Sequence, residues 1–127
     1  MENLQKIEWI LRVALFGEFL GHGIFALQLK TSFVQMIIAV LGVSESLAGT
    51  LLSVIGIMDF IVAFCAIIFP LRIILMWAAF WGFITALARP LAGDPIWDFV
   101  ERWANWGVPL ALLYVRGMPK NLKEYFK

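Results

Sequence analysis

The sequence predicts an all-α integral membrane protein: a four-helix bundle with a short interfacial helix between its first and second spans. Three observations predict it. Hydrophobic residues make up 62% of the chain and charged residues 15%, where a soluble domain has about 45–50% and about 25%. Four apolar stretches, residues 9–29, 47–69, 71–92 and 97–115, each approach the roughly 20 residues that a bilayer core demands of a helix. Each stretch offers a polar residue to nearly one depth. At 127 residues the chain, 1–127, reads as a single transmembrane domain. A mean hydropathy of +0.89 and a net charge of +1 exclude a disordered chain, a basic nucleic-acid-binding domain and a soluble globule. The lone cysteine, Cys65, excludes an internal disulfide and every multi-cysteine metal motif.

The spans must be helices, because an open strand in lipid leaves backbone groups unpaired. The first, Trp9–Leu29, carries Arg12, Gly17-x-x-x-Gly21, Glu18 and His22. It has no small-residue cleavage site and reads as a retained span. Gly17 and Gly21 have the small-x-x-x-small spacing of helix packing, within the bundle or in a homodimer. Residues 32–43 are apolar but too short to span. Phe33, Met36, Ile37, Val40 and Leu41 fall at i, i+3, i+4, i+7 and i+8, one stripe of a helix. The stripe predicts an amphipathic helix on the membrane surface; the alternative is a flap over the bundle. Ser44 caps the second span, with Glu45 in its first turn.

The second span, Leu47–Phe69, contains Asp59. Pro70 cannot continue its ladder, so the second and third spans form a tight antiparallel hairpin. The third, Leu71–Ala92, carries Trp81, Thr85 and Arg89 at i, i+4 and i+8. Gly93-Asp94-Pro95 is a turn signal. The fourth, Trp97–Val115, has Asp98, Glu101, Arg102, Asn105 and Pro109 on one stripe, which should face inward. The tail 118–127, with Lys120, Lys123, Lys127, Tyr125 and Phe126, reads as an interfacial anchor. Four spans put both termini on one side. That side holds seven cations (Lys6, Arg12, Arg72, Arg116, Lys120, Lys123, Lys127) and the other three (Lys30, Arg89, Arg102). The positive-inside rule then places both termini in the cytoplasm.

Polar residues inside a membrane are costly and point to function. Glu18, Asp59 and Asn105 each lie within one residue of the middle of their span. His22 and Thr85 lie about 4.5 Å further out. Glu18 and His22 are neighbours on one helix face. The cytoplasmic half of every span is almost purely apolar. The pattern predicts a pocket open to the outside and sealed on the inside, with Glu18, His22, Asp59 and Asn105 at its floor. Thr85, Arg89 and the deep rings Trp81 and Trp106 complete the candidate ligand-binding set. Arg89 could reach inward or snorkel outward to pair with Asp98 or Glu101; the outward course is expected. The deep tryptophans serve as packing or as a stacking wall for a planar ring.

Four chemistries fit this layer. It is a hydrogen-bonded clamp fixing helix register, a site for an apolar ligand with a polar head, a proton or ion relay, or a Zn or Fe site built from Glu18, His22 and Asp59. Two unpaired carboxylates at the bilayer centre would be very unfavourable, so they must be protonated, paired or metal-bound. Haem is disfavoured because the only histidine supplies one axial ligand. Hydrolase chemistry has no nucleophile placed beside that histidine. Cys65 lies in an apolar stretch and reads as inert.

The first span, Arg12-Val-Ala-Leu-Phe-Gly-Glu-Phe-Leu-Gly-His22-Gly23, resembles the opening helix of the DoxX-like family of small four-helix membrane proteins. The Arg-to-His spacing and the His-Gly pair carry the likeness. It implies a bacterial inner-membrane protein linked to quinone-dependent redox or sulfur chemistry. The expectation is therefore a DoxX-like subunit that binds a quinone-like or lipid-like molecule. Its partners would be the bilayer, other subunits of a redox complex or a second copy, with no nucleic acid. The alternatives are a structural accessory subunit without ligand and a proton-coupled transporter.

Overall fold

A computed structural model describes residues 2–127, and those residues are all-helical, with no strand. The helices are α1 (Asn3–Leu27), α2 (Thr31–Leu41), α3 (Glu45–Ile68), α4 (Arg72–Leu91), α5 (Ile96–Val100) and α6 (Ala104–Arg116), followed by a 3₁₀ turn over Leu122–Phe126. Three helices, α1, α3 and α4, are long and apolar enough to cross a membrane. Their 25, 24 and 20 residues extend about 30–38 Å at 1.5 Å per residue. Ser44 caps α3 as its sequence position predicts, its hydroxyl accepting from the Leu47 amide at 3.1 Å. The break at Phe69–Leu71 falls at Pro70.

The predicted fourth span is not one helix. It divides into α5 and α6, separated by a turn at 101–103. Arg102 explains the break: its guanidinium donates to the Asp98 carbonyl at 2.8 Å and to the Glu101 carboxylate at 2.8 Å. A side chain bonded to the backbone carbonyl four residues earlier competes with the helical ladder. The amides of Arg102, Trp103 and Asn105 donate three residues back, the tighter 3₁₀ pattern. The predicted stripe is thereby split. Glu101 is exposed while Pro109 is buried. The 13 residues of α6 cover about 20 Å, short of a bilayer core.

Helices α1, α3, α4 and α6 stand side by side. Helix α1 packs along α3, α4 along α6, and α1 also against α6, while α3 and α4 meet only lightly. Arginines mark the end where the chain termini gather. Arg12 of α1 donates to the carbonyls of Ala66 (2.9 Å) and Ile67 at the end of α3. Arg72, at the start of α4, donates to the carbonyls of Gly117 (2.6 Å), Arg116 and Lys127 (3.0 Å). Arg116 pairs with Glu8 at 2.9 Å. The last carbonyls of a helix lack intrahelical partners and carry its negative dipole end, so cations are favoured there. These contacts set neighbouring helices antiparallel.

Small residues make the close approaches. A Cβ on Gly23 would lie 3.2 Å from Asp59 Cβ, and one on Gly56 2.8 Å from Leu27 Cγ. One on Gly82 would collide with the Asn105 peptide, 2.7 Å from its carbonyl carbon. Gly17 and Gly21 have nothing within 4 Å of their Cβ positions. The 17/21 spacing therefore marks an open face of α1, not a helix contact within the chain. Beneath these approaches Leu15, Phe19, Val62, Ala63, Ala66, Leu75, Ala78, Leu112 and Leu113 form one continuous apolar core toward the terminus-bearing end. The outside is the reverse of a soluble protein's: Ile10, Val13, Val54, Ile57, Ile61, Phe64 and Phe80 are all more than half exposed. Water would not tolerate so wide an apolar surface, and hydrocarbon would.

Candidate functional site

A cavity of about 350 Å³ opens between α3 and α4 on the half of the bundle away from the termini. Leu52, Ile55 and Asp59 of α3 form one wall, and Trp81, Ile84, Thr85, Ala88 and Arg89 of α4 form the other. His22 and Ala26 of α1 close the back. Helix α2 forms the roof. Its whole predicted stripe, Phe33, Met36, Ile37, Val40 and Leu41, lines the cavity. The stripe thus borders the bundle, as the flap reading requires, although Val40 and Leu41 at its end stay exposed. The physical reason is local: Val34, on the adjoining face, is buried with Ala26, Ala48 and Leu52. That anchoring fixes the roll of the helix.

Chain direction gives the cavity a depth axis. Helix α3 runs inward and α4 runs back out, so Asp59 and Trp81 are the deepest residues on their walls. Arg89, eight residues beyond Trp81, lies about 12 Å nearer the mouth. Trp81 packs against the apolar core, so the floor rests on sealed packing. Trp77 stacks on Trp81 (centroids 5.5 Å apart, planes 14° apart), and its Nε1–H points to Met58 Sδ at 3.1 Å. That contact closes the α3–α4 seam beneath the floor.

Asp59 is only 3% exposed. It borders the cavity and forms no hydrogen bond or ion pair among the described residues, whose only ion pairs are Arg102–Glu101 and Arg116–Glu8. Gly23 makes this placement possible, since any larger residue there would press on Asp59. His22 meets the edge of Phe33 at 6.2 Å between centroids. Arg89 lies over the same Phe33 ring, 5.4 Å from Cζ to centroid. Its Nε is buried without a partner, and it reaches neither Asp98 nor Glu101. The expected outward course of Arg89 is therefore corrected: its guanidinium turns to the flap and the cavity. Thr85 donates its hydroxyl to the Gly82 carbonyl at 3.3 Å.

Five of the eight candidate residues, His22, Asp59, Trp81, Thr85 and Arg89, line this one cavity. Glu18, Asn105 and Trp106 lie outside its lining. Glu18 sits a turn below His22 on α1, and its Oε2 is buried without a partner. Asn105 offers its backbone to Gly82 across the α4–α6 contact. Trp106 has an unpartnered buried Nε1. The Glu18, His22 and Asp59 side chains do not converge as metal ligands, since no three acidic, histidine or cysteine side chains gather in that way among the described residues. Ala26, Leu52, Ile55, Ile84 and Ala88 line the cavity without having been singled out from sequence. They are apolar residues in apolar helices, and no pattern separates them from their neighbours.

A second, wider groove of about 590 Å³ runs between α2 and the start of α3, bordered by Thr31, Gln35, Glu45, Ser46, Thr50 and Ser53. Two of its four hydroxyls are occupied by their own helix. Thr50 donates to the Ser46 carbonyl at 3.2 Å and Ser53 to the Gly49 carbonyl at 3.0 Å. The α3–α4 cavity combines apolar walls, a buried carboxyl without a partner and a volume within the ~300–1,000 Å³ of small-molecule sites, and it is the stronger candidate. Set against protein-family models, curated proteins and solved structures, the chain matches none.

Proposed function

We propose that this chain is a small DoxX-like integral membrane protein whose α3–α4 cavity holds a quinone-like or lipid-like molecule, and that it serves as a subunit of a bacterial inner-membrane redox complex. In this reading α1, α3, α4 and the α5–α6 segment cross the bilayer, and both termini are cytoplasmic. The cavity opens toward the outer leaflet. The observation that carries the binding role is the cavity itself: three helices and a flap border an apolar space lined by six polar or aromatic side chains. His22 hydrogen-bonds a carbonyl or hydroxyl of the ligand, and Trp81 stacks on its ring or chain. Asp59 completes the floor and Arg89 guards the mouth. The seven-to-three cation distribution supports the orientation, and the Arg12-to-His22-Gly23 pattern supports the family reading.

The test is extraction. Protein purified in mild detergent is extracted with organic solvent and the extract resolved by chromatography and mass spectrometry. A quinone or a single lipid species should accompany the wild-type chain in near-stoichiometric amount. Ala88→Trp, which fills the cavity, should lose it. An extract identical in the two proteins overturns the proposal.

A further inference from the structure

We infer that the cavity selects a neutral amphiphile that inserts a hydroxyl group, phenolic or alcoholic, against the Asp59 carboxyl at the floor. This rests on the ligand-binding reading above and narrows its chemistry. Asp59 is almost wholly buried, makes no bond to the described chain, and faces the cavity at its deepest level. Its carboxyl oxygens are not among the side-chain atoms shut away without a partner, so they stay reachable from the cavity, where a polar group of the ligand can meet them. Among the other polar side chains of the lining, His22 can both donate and accept. Arg89 offers only N–H groups, and Thr85 has given its proton to Gly82. Asp59 is the one side chain at the floor whose chief capacity is to accept. A hydroxyl at the ligand's deep end donates to Asp59 when the carboxyl is ionised and accepts from it when it is protonated.

The donor could be an ammonium or a hydroxyl, and the mouth decides between them. Arg89 is the one Lys or Arg among the residues that line the cavity, and it forms no ion pair among the described residues. A cation entering the apolar space would give up its hydration beside that guanidinium. An anionic head would meet the carboxyl of Asp59 at the floor. A neutral hydroxyl meets neither barrier. The remainder of the molecule is apolar, because Leu52, Ile55, Ile84 and Ala88 leave it no other partner.

The full chain in detergent micelles is titrated with para-decylphenol, para-decylanisole and decyltrimethylammonium, and binding is read from the shift in thermal unfolding. Partitioning into protein-free micelles is measured separately and divided out. The phenol should bind about tenfold or more tightly than its methyl ether, the ratio expected of one hydrogen bond to a carboxylate. Asp59→Leu should bring that ratio near one. Asp59→Asn, which keeps an acceptor oxygen, should retain most of it. Where Asp59→Leu does not fold, the wild-type ratio decides alone. Equal binding of phenol and ether overturns the hydroxyl proposal and leaves the cavity reading standing, as does tighter binding of the ammonium. Absence of binding by all three probes overturns both.

Discussion

Replacing Gly82 by alanine tests the bundle and the site together. Gly82 lies on α4 between Trp81 and Thr85 of the cavity wall, where α4 touches α6. An alanine Cβ would stand 2.7 Å from the Asn105 carbonyl carbon and 3.1 Å from the Trp106 nitrogen. Ordinary van der Waals contact begins at 3.4 Å, so α4 and α6 must part by ~0.7 Å or more. The obstacle is backbone, which cannot rotate away as a side-chain tip can. Overpacking of this kind costs about 1–3 kcal/mol, which lowers the folded-to-unfolded ratio by about 5- to 150-fold. Gly17→Ala and Gly21→Ala are the controls, because their Cβ atoms meet nothing within 4 Å and should stay within about 0.5 kcal/mol of wild type. Unfolding in mixed micelles of increasing dodecyl sulfate fraction, followed by tryptophan fluorescence, measures all three. Since the displacement moves Trp81 and Thr85, Gly82→Ala should also lose co-purifying ligand. The reasoning is refuted if Gly17→Ala or Gly21→Ala costs as much as Gly82→Ala, since the tight face would then lie on α1 and between copies.

Three further outcomes are expected. Arg72→Ala removes the charged donor that holds the carbonyls of Arg116, Gly117 and Lys127. It should destabilise the chain by ~1.5–3 kcal/mol and raise protease cleavage within residues 118–127, and an unchanged cleavage rate contradicts the latch. The Glu8–Arg116 pair is partly exposed, at 22% and 23%. Glu8→Gln should therefore change stability by no more than about 1 kcal/mol, and a loss several times larger would mean that the ion pair organises that end of the bundle. In a Cys65→Ser background, Lys120→Cys should react with a membrane-impermeant thiol reagent only from the cytoplasmic side and Ser46→Cys only from the opposite side. Labelling of both from one face refutes the four-span topology.

Much of the architecture was legible because a bilayer-like environment leaves few choices. Runs of about twenty apolar residues must be helices, and the bounds of α3 and α4 follow from where those runs meet Ser44, Pro70 and the Gly93-Asp94 turn, whereas α1 starts at Asn3, ahead of the span expected from Trp9. The depth of Asp59, Trp81, Thr85 and Arg89 followed from counting, since rise per residue is constant in a helix. Counting says nothing about roll. Glu18 and His22 share a face by spacing, yet only His22 reaches the cavity, because α1 turns Leu15, Phe19 and Gly23 into its contacts. The fourth stretch misled for a related reason. Its hydropathy is continuous, but Arg102 bonded to the Asp98 carbonyl breaks the ladder, and periodicity does not report a side chain's choice of partner.

The glycines show the same division. Gly17-x-x-x-Gly21 has the spacing of a packing motif, while Gly23, Gly56 and Gly82, which have none in common, make the close approaches. What the amino-acid order determined by itself is which segments are helical, how deep each polar group lies and that α2 has one apolar face. Tertiary packing alone decided that this face roofs a cavity between α3 and α4, and that Asp59 looks into it without a partner. The reason is that hydrophobicity and helical period act along one chain segment, whereas the roll of each helix is set by the small and large residues of its neighbours.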